Sequence, residues 1–354
     1  MSELRINNIT NSGGNGGPVV AGVSTVSTST FMVIPNGNTE VRSAGSGRGI
    51  MAGGAESLSS PYTISDRMQY IKISTTGNST DFGNLSLARY YVRGTASSTR
   101  GVFAGGTSPG PVVTTRIDYV TISSQGGAND FGDMSINRNG VAAFGNETRG
   151  ILAGGFTTPT NTQTSLMEFI TIATTGDASN FGDLSEAREI NAGFASPTRG
   201  IIAGGARGAT VTNVSADIQF VTLATGGDSQ RFGELRRLRY RLPGASNSTR
   251  GLTFGGSYTI QIGTDEIDKI TIATEGNAQD FGDLRVALHE SGALASSTRG
   301  IHFGGETAPN SGALVNTIEY VQISTGGDAA DFGDLAAVVG DDPAGCSDVH
   351  GGLG

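Results

Sequence analysis

Ser98-Thr99-Arg100-Gly101-Val102-Phe103-Ala104-Gly105-Gly106 decides how this chain folds, because the chain keeps repeating it. The phrase returns as Thr148 to Gly155, Thr198 to Gly205, Thr249 to Gly256 and Thr298 to Gly305. A weaker first copy reads Gly47-Arg48-Gly49-Ile50-Met51-Ala52-Gly53-Gly54. A period of about fifty residues marks one supersecondary unit that cannot bury its faces alone and must stack on its neighbours.

Each Gly-Gly is followed by a polar stretch that differs from copy to copy: 55–67, 107–116, 156–166, 206–217, 257–266 and 306–317. Next comes a run such as Ile117-Asp118-Tyr119-Val120-Thr121-Ile122, apolar on both alternating faces. A strand of that kind belongs to a sheet covered on both sides. A Gly-centred turn leads to Asp-Phe-Gly-type segments at Phe82, Phe131, Phe181, Phe232, Phe281 and Phe332. Ala-Arg and a small-residue strand such as Gly193-Phe194-Ala195-Ser196 then reach the next Thr-Arg-Gly. Helical periodicity is absent over any useful length.

Four short antiparallel strands per fifty residues describe a propeller blade, and a closed ring of blades buries both faces of each. The expectation is an all-β, six-bladed propeller over 41–354, preceded by an extended arm, 1–40. The tail Ala344-Gly345-Cys346-Ser347-Asp348-Val349-His350-Gly351-Gly352 reads as a degenerate small-residue strand. Residues 336–352 are therefore expected to supply the inner strand of blade one beside Arg48 to Gly54. Val41 to Gly45 is the alternative.

A formal charge of −9 argues against a general nucleic-acid binder, which needs a basic stripe. One cysteine, Cys346, cannot form an internal disulfide. No signal peptide and no apolar run of membrane-spanning length is read, so a soluble chain made in the cytosol is expected.

Catalytic, cofactor and metal residues are not expected. His289, His302 and His350 occupy different repeat positions, and a metal site needs convergent ligands. The Asp-Gly turns at 176–183 and 327–334 read as turn chemistry rather than calcium loops. Arg48, Arg100, Arg149, Arg199, Arg250 and Arg299 would form a ring at one end, with pairing to carboxylates of neighbouring blades expected and anion binding the alternative. The variable stretches, with Tyr62 and Tyr258, fall at the other end, where a repeated scaffold places recognition. Arg231, Arg236, Arg237, Arg239 and Arg241 put five arginines in eleven residues of an acidic protein. They are read as a contact for an acidic neighbour or polyanion.

Gly-Gly after the second strand, an aromatic outer strand and the following Ala-Arg resemble the kelch repeat over about 300 residues, with Phe where kelch usually has Trp and without its usual Tyr pair. Thr-Arg-Gly-Ile-x-Ala-Gly-Gly, Ile-Thr-Ile-Ala-Thr-Thr-Gly-Asp-Ala and Asp-Phe-Gly-Asp-Leu together resemble propeller proteins in virions of tailed phages, notably marine cyanobacterial ones. Ile6-Asn7-Asn8-Ile9-Thr10 through Gly16-Gly17-Pro18-Val19-Val20, then Ser24-Thr25-Val26 and Ile34-Pro35, looks like an attachment arm of such proteins. The resemblance implies a non-enzymatic tail or tail-fibre component, assembled into the virion in the host cytoplasm. Residues 1–40 would bind other virion proteins and the propeller would meet a neighbour or a host surface glycan, within an oligomeric particle. A head-decoration or baseplate protein that only stabilises the particle is the alternative.

Overall fold

The computed structural model describes residues 47–59, 62–207, 213–259, 262–307 and 312–353. The proposed arm 1–40 and the alternative closing segment Val41 to Gly45 lie outside them. The chain forms a six-bladed β-propeller, each blade holding four antiparallel strands. Blade 3 shows the pattern: inner strand Ala142–Gly145, second strand Arg149–Ala153, third strand Leu166–Thr171 and outer strand Ser179–Asp183. Among the described residues no helix is long and apolar enough to cross a membrane.

Blade 1 takes its inner strand from the C-terminus. Ala344–Ser347 pairs antiparallel with Arg48–Ala52, matching Gly49 to Ser347, Ile50 to Cys346, Met51 to Gly345 and Ala52 to Ala344. The first and last described strands therefore share one sheet, which closes the ring of blades.

The repeated phrase builds the contacts between blades. Its arginine donates from Nη1 to the carbonyl that ends the third strand of the next blade: Arg48 to Ile122, Arg100 to Ile172, Arg149 to Leu223, Arg199 to Ile272, Arg250 to Ile323 and Arg299 to Ile73, at 2.7–3.1 Å. The set closes on itself around the ring. Five of the six guanidinium groups also lie over an aromatic ring of their own blade, from Arg199 on Phe220 at 4.3 Å to Arg149 on Phe169 at 4.9 Å. Lys269 takes the aromatic position opposite Leu252 in blade 5. The carboxylate pairing expected for these arginines is thus replaced by backbone carbonyls and aromatic faces.

The glycine after the arginine is the floor on which the preceding blade packs. Phe144 of blade 3 lies across Gly193 and Gly200 of blade 4, and Phe194 of blade 4 across Gly244 and Gly251 of blade 5. Any side chain at these glycines would occupy the space of the ring. The closing Gly-Gly has another cause: Gly105 and Gly106 have φ of +64° and +100°, a region that L side chains rarely adopt.

The carboxylate-bound arginines belong to a different position, the arginine that follows the outer strand in four of the six blades: Arg89, Arg138, Arg188 and Arg239. Arg89 pairs with Asp118 (2.7 Å) and Arg239 with Asp268 (2.6 Å), all fully buried, and Arg138 pairs with Glu168 at the equivalent junction. Arg188 reaches Asp217 at 3.4 Å. Each guanidinium also donates to a carbonyl of the next blade's Gly-Gly, for example Arg89 to Gly105 at 2.7 Å. A buried ion pair needs further hydrogen bonds to offset its desolvation; these carbonyls supply them at Nη1, while Nε of all four arginines is buried without a partner. Leu288 and Val339 hold the equivalent position at the remaining two junctions.

Candidate functional site

The variable stretches lie together at the end opposite the Thr-Arg-Gly turns. Among the described residues five of them begin as a short hairpin, such as Phe156–Thr157 with Thr162–Gln163, and each stretch is bridged to the segment arriving from the previous blade, as Asn139 is to Phe156. Tyr62 is exposed on this face, donates to Asp341 and meets Tyr90 edge-on at 5.8 Å between centroids. Tyr258 lies under Arg237 (5.1 Å).

Both mouths of the central channel are closed. At the loop end, one residue from each blade connection turns into positive φ: Tyr91, Gly140, Ile190, Arg241, Glu290 and Asp341. Their backbones form a ring of hydrogen bonds. Tyr91 N donates to Asp341 O, Gly140 N to Tyr91 O, Ile190 N to Gly140 O, Arg241 N to Ile190 O, Glu290 N to Arg241 O and Asp342 N to Glu290 O, at 2.7–3.3 Å. At the other end the tail turns across the channel as Gly351–Leu353 and packs on the inner strands of blades 4 and 5. A His350 ring nitrogen lies 2.8 Å from Ala96 O. Among the described residues the channel is lined by small chambers of about 50 and 60 Å³, room for a few waters.

Beneath the loop-end ring lies a cluster of buried charge. Arg241 pairs with Glu290, Arg93 with Asp342 (2.8 Å), and Tyr91 Oη donates weakly to Glu290 at 3.4 Å. Burial raises the Glu290 carboxyl well above the usual range, and Asp341 and Asp342 push the same way. Glu306 is hydrogen-bonded to Glu290 and is likewise raised, by burial first. His289 lies opposite Glu306 in the strand ladder, with Nδ1 3.9 Å from its carboxylate. Burial, and then Arg241, lowers the His289 imidazole to about 4, so it is neutral near pH 7. His302 Nε2 meets Ser291 Oγ at 2.8 Å, but both are fully buried and Nδ1 of His302 has no hydrogen-bond partner to orient it.

The arginine-rich segment of blade 4 is largely paired within the chain. Arg239 is one of the buried junction arginines and is not available to a partner, because its charge is committed to Asp268. Arg236 pairs with Asp280, Arg237 with Glu266 (3.4 Å), Arg241 with Glu290 and Arg231 with Glu234 (2.7 Å). Arg231 and Arg237 keep half or more of their side chains exposed. The Asp-bearing turns act as links between blades: Asp177 accepts from Asp133 N, Asp228 from Asp183 N and Asp328 from Asp283 N, at 2.9–3.1 Å.

Sequence reasoning missed two features. The junction arginines were signalled by an acid or amide recurring in the third strand, at Gln69, Asp118, Glu168, Gln219, Asp268 and Glu319. The His289 cluster was signalled by His-Glu in a blade connection together with a glutamate directly after the next Gly-Gly. No protein-family model matches this chain, and no curated protein matches it.

Proposed function

We propose that this chain is a non-enzymatic virion protein of a tailed phage, a tail or fibre component. Residues 1–40 anchor it to neighbouring virion proteins, and the propeller presents its hairpin face to a partner or to a host surface glycan. The observation that supports an interaction role is the sealed channel. With both mouths closed and small chambers inside, the surface left to vary is the set of hairpins on a rigid frame. The virion setting rests on the resemblance of the repeat phrases and of the N-terminal segment. Tyr62 and Tyr258, with the exposed Arg231 and Arg237, are the side chains assigned to that contact.

The test is a surface-glycan array probed with the full chain, beside limited proteolysis of assembled particles. Retention on a subset of glycans, lost when hairpin 156–166 is replaced by a Gly/Ser loop, is the expected result. Absence of glycan binding, with the hairpins shielded in the particle, would reject the host-contact role and leave a protein that only stabilises the assembly.

A further inference from the structure

We propose that the junction of blades 5 and 6 is a binding site for one divalent first-row transition metal ion, with His289, Glu290 and Glu306 as its protein ligands. This goes beyond the interaction role and is independent of it. The ligand-bearing atoms of the three side chains all lie within 4.8 Å of one another, and all three residues are buried. His289 Nδ1 and Glu306 Oε2, 3.9 Å apart, are too far for a hydrogen bond. They are close to the span that one ion bridges at about 2.0–2.2 Å from each donor. A tetrahedral edge at those bond lengths is about 3.4 Å, so this pair needs to close by about half an ångström and the cluster as a whole by up to about 1.4 Å.

Two further observations point the same way. His289 is 1% exposed, yet neither of its ring nitrogens has a hydrogen-bond partner. Leaving such a group unsatisfied is costly, and a metal ion supplies a partner for one of the two nitrogens.

The other blades provide an internal comparison. At the positions of His289 and Glu306 they carry Tyr90 and Thr107, Asn139 and Phe156, Glu189 and Ala206, Tyr240 and Ser257, or Gly340 and Ala55. At the position of Glu290 they carry Tyr91, Gly140, Ile190, Arg241 or Asp341. The fold therefore requires none of the three ligands. They coincide at a junction where the usual buried arginine is replaced by Leu288.

An imidazole with two carboxylates suits zinc, manganese or ferrous iron better than the all-oxygen preference of calcium or magnesium. Glu306 opens the blade 6 variable stretch, His289 ends the blade 5 strand Gln279–His289, and Glu290 follows it. The ion would therefore clasp two blades at the loop-end mouth, with water able to take a remaining coordination position.

The experiment uses the full-length, tag-free chain stripped with chelator and titrated with zinc, following bound metal per chain and melting temperature, with cobalt(II) as the optical probe. The expected result is one zinc per chain, a rising melting temperature and a visible cobalt spectrum. His289→Gln and Glu306→Gln should each weaken zinc binding by at least about 100-fold, while His302→Gln and His350→Gln leave it unchanged. No binding at zinc well above the chain concentration overturns the proposal, as does binding that survives both ligand substitutions. If a ligand variant fails to fold, X-ray absorption of the zinc-loaded native chain decides. One imidazole among oxygen donors at about 2.0–2.1 Å supports the site, and a shell without nitrogen overturns it.

Discussion

Gly251→Ala tests the packing between blades where it is tightest. A Cβ at Gly251 would lie 1.8 Å from Cε2 of Phe194, 2.4 Å from Cδ2 and 2.5 Å from Cζ, whereas ordinary contact begins at 3.4 Å. The ring would have to retreat by about 1.6 Å. It has nowhere to go, being 3% exposed and packed among Ile201, Leu242 and Ile270. Gly251 has no positive φ, so the cost is steric and falls at the upper end of overpacking, about 3 kcal/mol. Phe194→Ala alone should cost about 4 kcal/mol through its cavity. In the double variant the new methyl enters space the ring has left, so the loss should stay near about 4 kcal/mol rather than reach the sum. That is a coupling of about 3 kcal/mol. Guanidinium unfolding of the four proteins measures it. Additivity within about 0.5 kcal/mol, or a harmless Gly251→Ala, would refute this packing. Gly150→Ala, whose nearest contacts are Thr95 Cγ2 at 2.9 Å, Ile170 Cγ1 at 3.0 Å and Ile170 Cδ1 at 3.3 Å, should cost about 1 kcal/mol.

Other expectations follow from the buried charges. Asp118→Asn leaves Arg89 charged and fully buried without its counter-ion. It should lower unfolding free energy by about 3–5 kcal/mol, and a loss below about 1 kcal/mol, the range of a surface pair, would mean the pair is solvated. His302 is lowered to about 3 by burial, below its unfolded value near 6.5. Its contribution is therefore complete above pH 6.5 and is lost as pH falls toward 3. Relative to a His302→Gln variant, the native chain should lose about 2 kcal/mol between pH 7 and pH 5. Parallel stability–pH curves for the two proteins would contradict the burial of that imidazole.

Much of the fold was legible because its signals are local and repeated. Phe131 and Ile117 each recur once per blade, and a both-faces-apolar strand has few ways to be buried. The tail strand was readable because Ala344-Gly345-Cys346-Ser347 copies the small residues that the crowded axis demands. The six arginines of the phrase were located correctly at the turns, but their partners were not legible. Backbone carbonyls leave no trace in a sequence, whereas nearby Asp turns suggest carboxylates. Arg239 was misassigned as a surface residue because its segment is charge-rich, and only alignment with Arg89, Arg138 and Arg188 separates it from Arg231 and Arg237. The His289 cluster joins residues from two blades whose proximity depends on strand register, so inspecting histidines one at a time could not reveal it.

The two sealed mouths and the blade 5–6 junction all depend on the last strand closing the ring, and that closure has a direct test. Ile50 and Cys346 are paired across the first and last strands. Directly opposed antiparallel residues have Cα atoms about 4.5–5.5 Å apart, within the about 4.4–6.8 Å that a disulfide accepts. Cys346 is the only native cysteine, so an Ile50→Cys chain carries two thiols and one possible internal bond. Oxidative refolding from denaturant, which exposes the otherwise buried positions 50 and 346 to oxidant, should consume both thiols within a monomer, and proteolytic peptides containing positions 50 and 346 should stay linked until reduced. Two thiols that persist in the folded monomer, or a bond that forms only between chains, would contradict the closed ring.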